Sequence, residues 1–346
     1  MKEIAFIALV LASSALADDS ATLQGYLNTD GTIPPGVYRV SQPIVVNLTQ
    51  GLVEAVGVTI LPIGNFAEVL LLGPGSNTLR IDGLKIDTTG TSTSAVVLNN
   101  ATAVTFSNCN FVGTLDQSVV FVQGQIVKFI NCRFEQENPN GVALTFDGYS
   151  VPSFGHSVSE SQFSGAGSGI SEIDDQADGG ANEVQGLRIE DNLFVNVGIY
   201  SINITRGYAT GIHGNAIDQA QNGILISGLV DVLDISGNQW IAGVEFPISV
   251  LPSDGGQFII ANNQFFGGNC SIAIRASATE HLNSISITGN NFYGESAALY
   301  LDSIFRCNVT GNLDGGLGSP SVTIVQTYSK SAPNQPVYQF SGNMFH

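Results

Sequence analysis

The densest run of ionisable side chains is SEIDDQADGGANE at 171–183, which sets Glu172, Asp174, Asp175 and Asp178 within seven residues. Carboxylates crowded this closely push one another's pKa apart, so one could serve as general acid and another as base toward a glycosidic bond. The same oxygens suit calcium, which takes several carboxylate ligands, with Asp174, Asp175 and Asp178 as the metal set. A solvated acidic loop with no chemistry is the third reading, and the residues alone leave all three open. Arg206 falls about one repeat later. It could pair with Asp174 or Asp175, or hold an anionic group beside them. The catalytic candidates are therefore Glu172, Asp174, Asp175 and Arg206. His213 is expected on a surface strand between Glu190 and Ser236.

Other chemistries are missing from the chain. It holds no nucleophile elbow, phosphate loop or dinucleotide fingerprint, and its four cysteines lack metal-site spacing. Only 11 Lys and Arg stand against 29 Asp and Glu, a formal charge of -18. Phosphate backbones and anionic lipid surfaces are repelled by such a surface, so nucleic acid is excluded as a partner.

What positions these side chains is a repeat. A β-branched or aromatic residue, a small polar pair, often Asn, and an apolar residue two places on recur as IDGLKI at 81, FSNCNF at 106, FINCRF at 129 and VSESQF at 158. The series continues as IEDNLF at 189, IHGNAI at 212, ISGNQW at 235, IANNQF at 260, ITGNNF at 287, VTGNLD at 309 and FSGNMF at 340. The fourth positions, from Leu84, Cys109, Cys132 and Ser161 to Asn192, Asn215, Asn238, Asn263, Asn290, Asn312 and Asn343, are 22 to 31 residues apart, the period of a solenoid. Apolar alternation with period two, broken by Gly, Asn, Asp and Ser, makes each unit strand, turn and strand. The expected fold is all-β, a single-stranded right-handed parallel β-helix of roughly 11 to 12 coils with an N-terminal capping segment. The repeated Asn is expected to form an internal ladder and to take the left-handed turn conformation itself. Trp240 shares the phase of Phe194, Phe265 and Phe292 and is expected in the core.

The division expected along the chain is a secretory signal at 1–17, a cap with first strands at 18–57, and the β-helix at 58–346. Lys2, an apolar run from Ile4 to Leu11 and small residues at Ala15 and Ala17 carry the signal reading, and no later run reaches the roughly 18 apolar residues of a membrane helix. An exported, secreted or cell-surface protein with no membrane insertion is expected. DDSATLQGYL at 18–27 reads as a short helix capped by Asp19 or Ser20, covering the first rung. Cys109 and Cys132, at one point of adjacent coils, are either bridged or stacked as buried thiols; Cys270 and Cys307 read as core thiols. FSGNMFH ends on an apolar strand, and a homotrimer or dimer covering that rung, or residues 315–339 folding back across it, would shield it.

The stretch from Asp18 to Val46, an acidic start, a short helix and then DGTIPPGVYRVSQPIVV running into coils, resembles the N-terminal region of the pectate-lyase superfamily of parallel β-helices. The coil pattern extends the resemblance over essentially the whole mature chain. It implies carbohydrate contact: a polysaccharide lyase or glycoside hydrolase acting on a polysaccharide or cell-surface glycan in a groove on one sheet, or a non-catalytic adhesin or virion spike. On that sheet the outward column is expected to read Thr145, Glu172, Asn203, Leu225, Ser249, Ala273 and Tyr300. The polygalacturonase motifs are only partly present. The pair Asp174 and Asp175 follows its strand where the family's pair precedes one, Gly-His-Gly is represented by GIHG at 211–214, and no Arg-Ile-Lys follows. Tyr149, Phe154 and Tyr208 are the aromatic residues expected in turns, where a sugar ring could stack.

Overall fold

The structure, a computed structural model, describes residues 17–74, 78–148, 153–173, 184–240, 244, 246–251, 255–267, 270–275, 282–293, 298–302, 304, 306–314, 322–325 and 337–344. Each repeat folds into one turn of a coil with three faces. One coil runs Arg188–Glu190 on the first sheet, Leu193–Val195 on the second and Tyr200–Tyr208 on the third. The next continues as Thr210–His213, Ala216–Asp218 and the long strand Asn222–Ser236. Residues in phase pair in parallel across rungs, as in Ile189↔Ile212, Phe194↔Ile217 and Ile202↔Ile224. The protein is therefore an all-β parallel β-solenoid, as the repeat predicts. About nine turns are counted, somewhat fewer than the 11 to 12 expected from the sequence repeat.

The corner between the first and second sheets carries the ladder. Asn238 Nδ2 donates to Ile212 O of the preceding coil at 2.9 Å and to Asn263 Oδ1 of the next at 3.1 Å. Its own Oδ1 accepts from the Asn215 backbone N–H at 2.9 Å. The same contacts recur at Asn192, Asn215, Asn263, Asn290 and Asn312, all buried at 2% exposure or less. Ser161 continues the column, accepting from Cys132 N at 3.0 Å. Cys132 and Cys109 then place their sulfurs 3.5 Å from Phe106 O and Ile81 O, the carbonyls an Asn amide would bond. Both are free thiols, as are the buried Cys270 and Cys307; burial pushes the Cys307 thiol up to about 12. The stacked-thiol alternative is thus the one the structure adopts.

One expectation about this corner is corrected. The ladder Asn does not take the left-handed conformation; the residue before it does, as at Asn108, Asn131 and Asp191 with φ of 54°, 52° and 55°, and Gly214 and Gly237 with 65° and 68°. Separating the two jobs leaves the ladder amide free to aim inward.

The interior is filled by stacked rings on the second sheet. Phe134, Phe163 and Phe194 stack with centroids 4.6 and 4.8 Å apart, and Trp240 stacks on Phe265 at 4.6 Å. Trp240 is fully buried, so its core phase is as expected. At the N-terminal end the helix Ser20–Leu27 lays Leu23 and Leu27 on the first coil, both at 0% exposure. Asp19 is its N-cap residue without a side-chain cap bond. Asp18 instead accepts from the Ser20 backbone N–H at 3.0 Å, and hydrogen bonds from Ser20 and Ser41 hold its carboxyl near about 2. At the other end Val337–Ser341 pairs with Arg306–Thr310, leaving Phe340 and Met344 exposed.

A buried histidine gives the fold an acid-sensitive point. The Val127 backbone N–H donates to His156 Nδ1 at 3.1 Å, so Nε2 carries the proton and donates to Ser153 Oγ at 2.8 Å. Burial drives the His156 pKa from 6.5 down to about 4. The unfolded chain takes up the proton first, so stability present above pH 6.5 is lost as pH falls toward 4. The loss amounts to roughly 3 kcal/mol. Thermal melts across that window should show a shallower fall for His156→Gln, which can still accept from Val127 N–H. An unchanged slope would contradict the assignment.

Candidate functional site

The outer face of the third sheet carries a groove of about 850 Å³. Its floor comes from neighbouring strands Glu68–Leu72, Ser94–Thr102, Ser118–Gln125, Val142–Asp147 and Ser168–Ile173. In period-two strands, alternate residues face out, and the outward column runs Val97, Phe121, Thr145, Ser171 and Asn203. The turns Asn65–Ala67 and Asp116–Gln117 form the rim. The rim is tied down: Asn65 Oδ1 accepts from Ser92 N at 3.0 Å, and Asp116 Oδ1 accepts from Asn138 Nδ2 at 2.8 Å. Beneath it, Ser94 Oγ donates to Ser118 O at 2.9 Å.

Two carboxylates, Glu68 and Asp116, line this groove. Glu68 pairs with Ser94, and Asp116 lies two residues before Ser118 on the following rung. They are therefore two coils apart and offset by two residues along the strand, roughly 12 Å between backbones at the usual strand spacings. Burial with no cationic neighbour raises the Glu68 pKa. A half-buried carboxyl with a raised pKa and an exposed one on the same groove are the two kinds of group that general acid and base roles call for. Phe66 and Phe121 add partly exposed ring faces beside the serine and threonine hydroxyls.

The sequence-derived site is rearranged. Glu172 was expected to face outward. It registers with Phe146 and Ile204, is fully buried, and is turned away from the groove. In GISEI, Ile170 locks onto Leu144 and Ile202, and the two-residue period then carries position 172 inward and Ser171 outward. Space for the carboxylate comes from Gly207: a Cβ there would lie 2.7 Å from Glu172 Oε1 and 2.8 Å from Thr210 Oγ1. Arg206 is half-buried on Tyr200–Tyr208, just past a register shift against the next coil. Asp174, Asp175 and Asp178 lie outside the described residues, as do Tyr149 and residues 1–16. Ile173, the last described residue before Asp174, lines the groove. Among the described residues no group of three His, Cys, Asp or Glu is placed to hold a metal.

One further position is as read. His213 stands out from the first sheet, with Nδ1 3.5 Å from Glu190 Oε1 and Nε2 3.4 Å from Asp234 Oδ2. Phe154 and Tyr208 are exposed, but at the ends of the strands Ser153–Phe154 and Tyr200–Tyr208 rather than in turns, where they pair on either side of Gln185. Sequence reasoning missed Glu68, Asp116 and Phe121. Extending the outward column upstream of Thr145 by the same phase would have reached Phe121.

This architecture is the parallel β-solenoid fold, which several solved structures share. Among solved structures, the chain is similar to an exopolygalacturonase from Thermotoga maritima, with a TM-score of 0.61, 10% identity and coverage of 82% of this chain and 83% of that one. It is similar to PfbA, a surface adhesin of Streptococcus pneumoniae, at 0.57 and 14% identity, covering 81% and 88%. The tailspike protein of E. coli bacteriophage HK620 gives 0.61 and 14% identity, covering 87% of this chain and 63% of the tailspike. No protein-family model and no curated protein matches the chain. No helix among the described residues is long and apolar enough to cross a membrane.

Proposed function

We propose that this is an exported glycan-binding β-helix protein, with a polysaccharide lying across the rungs in the groove bounded by Glu68 and Asp116. The carrying observation is the groove itself: aromatic faces, hydroxyls and two carboxylates on a rigid sheet. A sugar chain offers C–H faces to rings and hydroxyls to polar side chains, and preformed concave sites with a few placed polar groups are where ligands bind. Two neighbours are solved with sugar bound, the HK620 tailspike with a pentasaccharide and a GH87 α-1,3-glucanase catalytic domain with tetrasaccharides, which supports this reading. Glu68 as acid and Asp116 as base would make it a hydrolase. Asp174, Asp175 and Arg206 stay catalytic candidates on sequence grounds, and a calcium site at Asp174, Asp175 and Asp178 belongs to this proposal. A secretory signal at 1–17 and a homo-oligomer, trimer or dimer, are further parts of this proposal. A non-catalytic adhesin is the second reading, favoured by the likeness to PfbA.

The test is a screen of polysaccharides for binding, for new reducing ends and for absorbance of unsaturated products. Phe121→Ala should weaken binding of any hit about tenfold, as expected for loss of roughly 1.4 kcal/mol of ring stacking. If reducing ends appear, Glu68→Gln should slow their release at least about 100-fold. Binding untouched by both variants would move the site elsewhere, and binding without turnover would select the adhesin reading.

A further inference from the structure

We infer that the groove is selective for an uncharged polysaccharide and discriminates against polyuronates. The inference rests on the glycan-binding reading and refines it by the charge of the ligand. Among the described residues, those lining the groove include two carboxylates and no Lys, Arg or His. A polyuronate strand carries a carboxylate on every sugar, and several would fall beside Glu68 and Asp116 with nothing to pair them. The half-buried Glu68 repels such a charge more strongly than the exposed Asp116 does, because a lower local dielectric strengthens a repulsion as it does a pair. The chain's net charge of -18 adds a long-range barrier to an anionic polymer.

The same groove gives a cationic glycan little to hold. On one side, pairing a cation with the half-buried Glu68 would strip water from both. On the other side, Asp116 Oδ1 already accepts from Asn138 Nδ2 at 2.8 Å. What is left for recognition is neutral chemistry. Ser92, Gln117 and Ser118 offer hydroxyl and amide groups to sugar hydroxyls, and Phe66 and Phe121 offer ring faces to pyranose C–H groups.

The experiment uses the full chain and titration calorimetry at low and high salt. The probes are polygalacturonate, the same polymer fully methyl-esterified, chitosan, and neutral α- and β-linked glucans, galactans and xylans. The expected result is that at least one uncharged polymer binds with an affinity unchanged between low and high salt. Polygalacturonate should bind at least tenfold more weakly than its methyl ester or than that polymer, and should improve as salt screens the repulsion. Asp116→Asn should narrow the gap by tightening polygalacturonate at least threefold. Polygalacturonate or chitosan binding tenfold more tightly than every neutral polymer would overturn the inference while leaving a glycan-binding protein. Failure of every polymer to bind at either salt would remove the glycan reading and the inference together.

Discussion

Phe163→Ala is expected to destabilise the chain by about 3 to 5 kcal/mol, the range for deleting a fully buried aromatic ring. Phe163 has 0% exposure and lies between Phe134 and Phe194, with centroid distances of 4.6 and 4.8 Å and rings nearly parallel to both. The neighbours cannot close the gap, because the rung spacing is fixed by backbone hydrogen bonds on either side, such as Gln162 N to Cys132 O at 2.9 Å and Leu193 N to Ser161 O at 2.9 Å. A cavity therefore persists, and persistent cavities are the costly ones. Urea unfolding followed by far-UV circular dichroism reads the loss directly. Hydrogen exchange should show faster opening centred on the coils around residues 134, 163 and 194, since a solenoid's rungs hold mainly their neighbours. A loss under about 1 kcal/mol would mean that the coil relaxes in a way the rung spacing forbids.

Asn238→Leu should cost a similar amount for a different reason, about 3 to 5 kcal/mol, although leucine is close in volume and more apolar. The change strands two buried backbone groups: the Asn215 N–H, which loses Oδ1 as acceptor, and the Ile212 carbonyl, which loses the Nδ2 donor. Each orphaned group costs about 1 to 3 kcal/mol. Asn238→Ser should cost less, because Ser161 shows that a hydroxyl at this position can accept from the preceding coil's N–H. Equal melting temperatures for the Leu and Ser variants would show that volume rather than hydrogen bonding governs the column.

The ladder and the ring stacks were legible because they repeat at one phase, and a period seen many times survives local noise. Glu172 was not, because a single alternation such as GISEI admits two faces. Charge favours Glu outward, whereas pairing of Ile170 with Leu144 and Ile202 puts it inward. Register is a property of the neighbouring coils, and those outvoted the preference of one side chain. The groove escaped notice for a related reason. Its carboxylates come from Glu68 and Asp116, 48 positions apart, and it sits over coils whose ladder positions are Leu84, Cys109 and Cys132, where the motif is least regular. The left-handed corner was assigned to the ladder Asn itself, since Asn tolerates that conformation; only the backbone shows that its predecessor takes it.

Because each ladder Asn bonds only to the coil before and the coil after, the column carries no information about how many coils there are. Excising the 23 residues that separate Asn192 from Asn215 would bring Asn192 to the Oδ1 of Asn238 with the same partners it has now. Changes in length are therefore heritable in whole coils, each shifting the molecule by one strand spacing of about 4.8 Å, while fractional insertions must loop out at the corners. The repeat from Ser161 to Asn192 has 31 residues where its successor has 23. In this architecture, variation accumulates at the rims and leaves the axis in phase.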